Sequence, residues 1–262
     1  MNLSLSTHGF PGRFPLRGAL VGLIGLALSA CAAPPSSQSV HDPIEPVNRA
    51  VHGFNKGLDT VALRPASQVY GKAVPAPVRK AVSNVADTLD LPGTIANDLL
   101  QFRIGDAVTN TLRLGLNLTL GLGGTIDFAT AAGLPDADND FGRTLATWGV
   151  GEGAYVELPG FGPSTARDAV GVVVDLAMNP LGQVFDGDDA KAVTGAELLS
   201  QLDKRYRYSN TVDQILYESA DSYAQARLLY LQNRRFVLGQ GGAAADGADD
   251  DFIDPYEDLY GE

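Results

Sequence analysis

Side chains able to do chemistry are sparse in this chain. Cys31 is its only cysteine, and of the three histidines only His41 and His52 lie beyond it. No Gly-x-Ser-x-Gly elbow, Walker loop or His-Glu-x-x-His pair occurs. Gly149, Gly151 and Gly153 alternate too closely for Gly-x-Gly-x-x-Gly. Asp136 to Asp140 (DADND) begins like a calcium loop, but Phe141 stands where the turn glycine is required and Thr147 where the bidentate glutamate should be. A solvated acidic turn is the better reading. The expectation is therefore a protein that is not an enzyme, with no metal and no cofactor. Paired acids leave a lipid or glycan hydrolase as the enzymatic alternative.

The setting of Cys31 gives it a different chemistry. Residues 1–17 carry Arg13 and Arg17 and no acid, and Gly18 to Leu28 is an unbroken apolar run. That is the length of a signal-peptide core and too short to span a bilayer, which takes about 20 residues. Leu28-Ser29-Ala30-Cys31 resembles the lipobox of bacterial lipoproteins. The resemblance implies cleavage after Ala30, a thioether from Cys31 to diacylglycerol and acylation of the new N-terminus. Several acyl chains on one residue hold a protein stably on a membrane, where a single chain is marginal. An ordinary cleaved signal that leaves a spare thiol is the alternative. Ala32 stands where an aspartate tends to retain lipoproteins in the inner membrane, so the expected location is the periplasmic face of the outer membrane.

Charge narrows the partners. The formal net charge of −12 becomes −14 once Arg13 and Arg17 leave with the signal. Nucleic acid is not expected, because phosphate binding needs a basic footprint. With no second cysteine there is no disulfide framework, so packing alone must hold the fold. No later run reaches 18 apolar residues.

The elements beyond the signal follow from periodicity. Ala32 to Val40 is a Pro/Ser-rich leash, so residues 31–41 form a flexible tether. Asp42-Pro43-Ile44-Glu45 has the pattern of a capping box, and Ile44, Val47, Val51, Phe54, Leu58 and Val61 lay one apolar stripe along the helix that follows. Arg64-Pro65 should end or kink that helix. A second helix carries Val78, Val82, Val85 and Leu89. Leu91-Pro92-Gly93 should break it, with Thr94 capping a short helix to Leu100 and Asp106 capping the next. From Leu112 to Leu122, leucines alternate with Arg113, Gly115, Asn117, Thr119 and Gly121. Period two argues for a strand, whereas leucine content and the scarcity of β-branched residues argue for a helix. The pattern alone leaves the two even.

Phe141 to Gly162 reads as loop or very short elements. Ser164 is expected to cap a helix carrying Val170, Val173, Val174 and Ala177 that stops at Asn179-Pro180. Another helix runs through Val193 to Tyr206, and one long final helix runs from a Ser209-Asn210 cap through Tyr230 to Arg234 and Arg235. Residues 239–262, ending in eight acids and no base from Asp246 on, read as a disordered acidic tail. The expected organisation is signal 1–30, lipidated tether 31–41, helical domain 42–238 and tail 239–262.

Asp42-Pro43-Ile44-Glu45 with Asn48-Arg49 and Phe54-Asn55, Arg64-Pro65, Val74-Pro75, Leu122-Gly123-Gly124 with Ile126-Asp127, Phe141-Gly142-x-Thr144-Leu145 through Trp148-Gly149-Val150-Gly151, Leu158-Pro159 and Gly162 to Asp168 together resemble the MlaA (VacJ) outer-membrane phospholipid-transport lipoproteins. The resemblance spans about Asp42 to Tyr230. It implies a mainly α fold, a ring-like bundle of amphipathic helices embedded at the membrane with Gly/Pro-rich loops, and it tips residues 112–122 towards helix. It implies a phospholipid cargo passing through an amphiphilic pore, a trimeric porin neighbour and a soluble periplasmic lipid-binding protein as acceptor. A charged headgroup crossing hydrocarbon needs polar partners. Asn48, Arg49, Asn55, Arg113 and Asn117 are the candidates to supply them. For each, a helix flank facing water or a satisfied buried hydrogen bond is the plainer alternative. Gly149, Gly151 and Gly153 are the candidate hinge or pore rim. A passive lipoprotein that scaffolds a porin or envelope complex is the rival function.

Overall fold

The computed structural model describes residues 40–136, 138–178 and 187–239. Cys31, the signal segment, the tether up to residue 39 and the acidic tail from residue 240 lie outside the described residues.

The described chain is mostly helical, as expected. Helix α1 (Glu45–Leu58) continues through a π-helical turn (Asp59–Leu63) into α2 (Arg64–Ala73). Beyond Pro75, α3 (Ala76–Leu100) and α4 (Ile104–Thr119) pack along each other. Short α5 (Phe128–Ala131) and α6 (Phe141–Thr147) precede an antiparallel hairpin of β1 (Tyr155–Leu158) and β2 (Gly162–Thr165), with Tyr155 opposite Thr165 and Leu158 opposite Gly162. Then come α7 (Ala166–Met178), packed on α6, and α8 (Gly187–Arg207), packed on α3 and α2. α9 (Ser209–Asp213), a second π turn (Gln214–Glu218) and α10 (Ser222–Val237) close the described chain. Among the described residues, no helix is long and apolar enough to cross a membrane.

Residues 112–119 are helical, the side towards which the family resemblance tipped an evenly balanced pattern, with leucine's helix propensity and the packing of α4 prevailing over period two. Several other local expectations are corrected. Pro92 does not break α3: the helix passes through it, giving up the one hydrogen bond that a proline nitrogen cannot donate. Thr94 lies inside that helix, its hydroxyl donating to the Asp90 carbonyl. Arg64-Pro65 opens α2 directly from the π turn, where a helical start tolerates proline. Asp42 caps nothing. Its carboxylate accepts from Asn48, Tyr223 and Arg227, which ties the start of α1 to α10. Ser164 belongs to β2, and the Thr165 hydroxyl takes the Asp168 N–H instead. The expected long final helix is split at extended Ser219, and Asp221 caps α10 by accepting from the Ala224 N–H.

The apolar stripe of α1 is real, but it faces outward. Val47, Phe54, Leu58 and Val61 are exposed, while Asn48, His52 and Asp59 are the buried residues of this stretch. The inversion recurs in α4, which buries Ala107, Asn110, Arg113 and Asn117 and exposes Leu112 and Leu118. Among the described residues, seven hydrophobic side chains are buried against twenty-two polar or charged ones, and thirty large apolar ones are exposed. The small apolar core is Tyr155, Tyr223 and Leu231.

A polar interior is stable only if its groups are paired. Here, they are joined across elements. Asn48 donates to the Tyr155 carbonyl (3.0 Å) and accepts the Glu157 N–H (3.0 Å), seating the hairpin on α1. Asp98 accepts from Asn110 and Asn139 at 2.7 and 2.6 Å. Gln101 donates to Asn139 and Thr144, both at 2.8 Å, which draws α3, α4 and α6 together. Asp59 pairs with Arg205 (2.8 Å) and accepts from Tyr217, binding the π turn to α8. Arg234 bridges Asp140 and Asp168, and so joins α10 to α6 and α7.

Close backbone approach completes the packing of α6 on α7. A Cβ on Gly171 would lie 2.5 Å from the Gly142 nitrogen, so only glycine fits there.

Candidate functional site

Three helices present one face each to a common cavity of about 600 Å³. From α3 come Ala86, Asp90, Gly93 and Asn97, spaced four, three and four apart, which places them on one helical face. From α8 come Glu197, Ser200, Gln201 and Lys204, again within one stripe, and from α7 Val172, Asp175 and Leu176. The hairpin turn adds Phe161, and the loop before α6 adds Asp138 and Asn139. The wall is divided by chemistry. Its carboxylates and amides stand beside Phe161, Leu176, Met178 and Leu198, all exposed apolar side chains.

Charge on that wall is predominantly negative. Asp90, Asp138, Asp175 and Glu197 face it, and Lys204 is the one basic residue among those lining it. Asp90 opens onto the cavity but is crowded by protein on its other sides. That desolvation, with the charges of Glu197 and Asp87, lifts its carboxyl from the usual 3.8 to about 6. Burial likewise raises Asp138 and Asp175, in Asp175 despite hydrogen bonds from the Phe141 N–H and the Asn97 amide. Lys204 lies 3.8 Å from Asp87. The Ser200 hydroxyl, on a residue 2 % exposed, has no hydrogen-bond partner.

By contrast, Asp168 sits outside the cavity, paired with Arg167 and Arg234. Burial opposes its charge, but hydrogen bonds from Arg234 and Arg167 outweigh it and bring its carboxyl down to about 2. Crowded acids on the cavity wall and compensated acids in the interior are thus electrostatically distinct.

The polar residues singled out from the sequence fall elsewhere, in two groups. Asn48, Arg49 and Asn55 gather at the hairpin and the start of α10. Asn55 donates to the Leu158 carbonyl at 3.0 Å, and exposed Arg49 pairs with Glu45 (2.7 Å) and Asp221 (2.8 Å). Arg113 and Asn117 meet at Asp127. Arg113 also donates to the Leu134 carbonyl (2.8 Å), and the Asn117 amide oxygen accepts the Ala129 N–H (2.9 Å). None of the five lines the cavity. Gly149, Gly151 and Gly153 form the connection from α6 to β1, with Gly149 (φ +86°) and Gly153 (φ +71°) in the left-handed region. Glu152 within that loop pairs with Arg235 at 2.6 Å.

Asp90, Asp175 and Glu197 are the residues that the sequence reading missed. A signal for Asp175 was present: it is the one charge in Val170-Gly-Val-Val-Val-Asp-Leu-Ala, where a solvated side chain has no reason to interrupt apolar residues. Asp90 and Glu197 carry no such mark, because acids are ordinary on helix surfaces.

Comparison with known proteins gives consistent matches. Residues 40–237 match the family described as MlaA lipoprotein. The intermembrane phospholipid transport system lipoprotein MlaA of Haemophilus influenzae is 33 % identical over 226 residues, covering 84 % of this chain and 89 % of that protein. Its namesake in Escherichia coli K12 is 32 % identical over 231 residues, 86 % and 90 % of the two chains. A solved structure described as the structural basis for maintenance of bacterial outer membrane lipid asymmetry superposes with a TM-score of 0.61 at 29 % identity, covering 75 % of this chain and 98 % of that one.

Proposed function

Because the chain belongs to the MlaA lipoprotein family, we propose that it is an outer-membrane lipoprotein that withdraws mislocalised phospholipid from the outer leaflet and so maintains outer-membrane lipid asymmetry. The observation that carries this reading is the inverted amphipathicity of the helices. Water would penalise thirty exposed large apolar side chains, whereas hydrocarbon accommodates them and in turn demands that polar groups be paired inside. With no spanning helix among the described residues, such a surface suits a protein embedded in one leaflet rather than threaded through the bilayer.

The lipid path in this reading is the cavity between α3, α7 and α8. Its carboxylates and amides receive a headgroup, and Phe161, Leu176 and Leu198 at its edge receive acyl chains. Asn48 and Asn55 then seat the hairpin that carries Phe161, Arg49 ties α1 to the start of α10, Arg113 and Asn117 fold residues 127–134 onto α4, and the Gly149 to Gly153 connection is the hinge. Lipidation of Cys31 anchors the domain through the 31–41 tether, at the periplasmic face. A trimeric porin is the neighbour in the membrane and a soluble periplasmic lipid-binding protein the acceptor.

The test is the phospholipid content of the outer leaflet in cells lacking the protein, with rescue by wild type and by Cys31→Ala. Accumulation that only the lipidated form reverses efficiently is the expected result. An unchanged surface together with failed porin assembly would replace transport with scaffolding.

A further inference from the structure

We propose that the cavity selects phospholipids whose headgroup carries an ammonium, as ethanolamine and choline headgroups do, against net-anionic glycerol headgroups. This rests on the reading of the cavity as the lipid path. Four carboxylates face the space, and one of them, Asp90, stands close enough to Glu197 and Asp87 for their charges to oppose its ionisation. Lys204 is drawn towards Asp87, leaving Asp90, Glu197 and Asp175 without a cation within ion-pair distance among the described residues. A cationic group entering the cavity relieves that repulsion, and an anionic one adds to it.

The remaining polar group on the same face fits the other half of a zwitterion. Ser200 is buried, unpartnered, and follows Glu197 by three residues on α8, with Lys204 one turn further on. Its hydroxyl can donate to a phosphate oxygen, and the Lys204 ammonium can approach from beside it. The ammonium of the same headgroup then meets Asp90 and Glu197. A volume of about 600 Å³ is ample for a headgroup.

The experiment uses the full lipidated chain in vesicles of equimolar ethanolamine and glycerol phospholipid at pH 7.5. One protein carries a photoreactive phenylalanine at Thr194, on the cavity wall, and a second carries it at Val61, 81 % exposed on the outside. Lipids cross-linked at each position are identified by mass spectrometry. The expected result is an ethanolamine-to-glycerol ratio about tenfold above the vesicle ratio at position 194, equivalent to about 1.4 kcal/mol of differential affinity, and near unity at position 61. Asp90→Asn combined with Glu197→Gln should bring the ratio at 194 towards that of the vesicle, with Tm showing that the fold is retained. A vesicle-like ratio in the wild type, or an unchanged ratio in the variant, overturns the selection while leaving transport standing. Lipid at 61 with none at 194 overturns the transport path and the selection together.

Discussion

At the scale of single residues, two aspartates show how one side chain serves opposite ends. Asp168 is held by Arg167 and Arg234 and keeps its charge down to about pH 2. Its depressed pKa contributes stability that is present above the usual 3.8 and lost as pH falls towards 2. Asp168→Asn takes the carboxylate from buried Arg167 and one of two from half-buried Arg234, and should cost about 3 kcal/mol, read from thermal unfolding in neutral detergent. Asp90 runs the other way. Its raised pKa of about 6 makes the ionised carboxyl a burden on the folded state, fully present above that value and gone below 3.8. Asp90→Asn should therefore raise Tm at pH 7.5 by about 2–4 °C, the effect of ~1 kcal/mol after allowance for solvent screening. At pH 3.5 the gain should vanish, and an equal gain at both values would mean that the charge is not the cause.

At the scale of elements, periodicity located the helices and left their orientation open. Spacing of three and four along Val47, Val51, Phe54, Leu58 and Val61 identifies one face of α1, but the same spacing serves a helix packed on an apolar core and one that shows its apolar face to lipid. Only the long-range partners of Asn48, His52 and Asp59, more than a hundred residues away in the chain, decide it. The apolar spacing of Val78, Val82, Val85 and Leu89 made α3 legible, but not its passage through Pro92, since neighbouring helices can stabilise a proline that local propensity would exclude. The cavity was illegible for a related reason: its acids come from three helices, and no local pattern marks their convergence. Gly171→Ala should cost about 1–3 kcal/mol by forcing α7 from α6, measured by denaturation. Phe54→Asp and Val61→Asp should weaken vesicle association by at least tenfold in flotation assays of unlipidated protein, while leaving helicity by circular dichroism unchanged.

At the scale of the whole molecule, the hydrogen-bonded interior carries a thermal consequence. Unfolding an ordinary domain exposes mainly apolar surface and raises the heat capacity by about 12–15 cal/mol/K per residue, because apolar hydration adds to it and polar hydration subtracts. Here, the groups released on unfolding are largely Asn, Asp, Thr and Arg, and the outer Val, Leu and Phe stay covered by detergent or lipid in both states. Calorimetry in neutral detergent should return a heat-capacity increment of about half the ordinary value or less. The stability curve is then shallow, so the fold loses little strength on cooling, and an envelope protein built this way works across a wide span of temperatures without a deep apolar core.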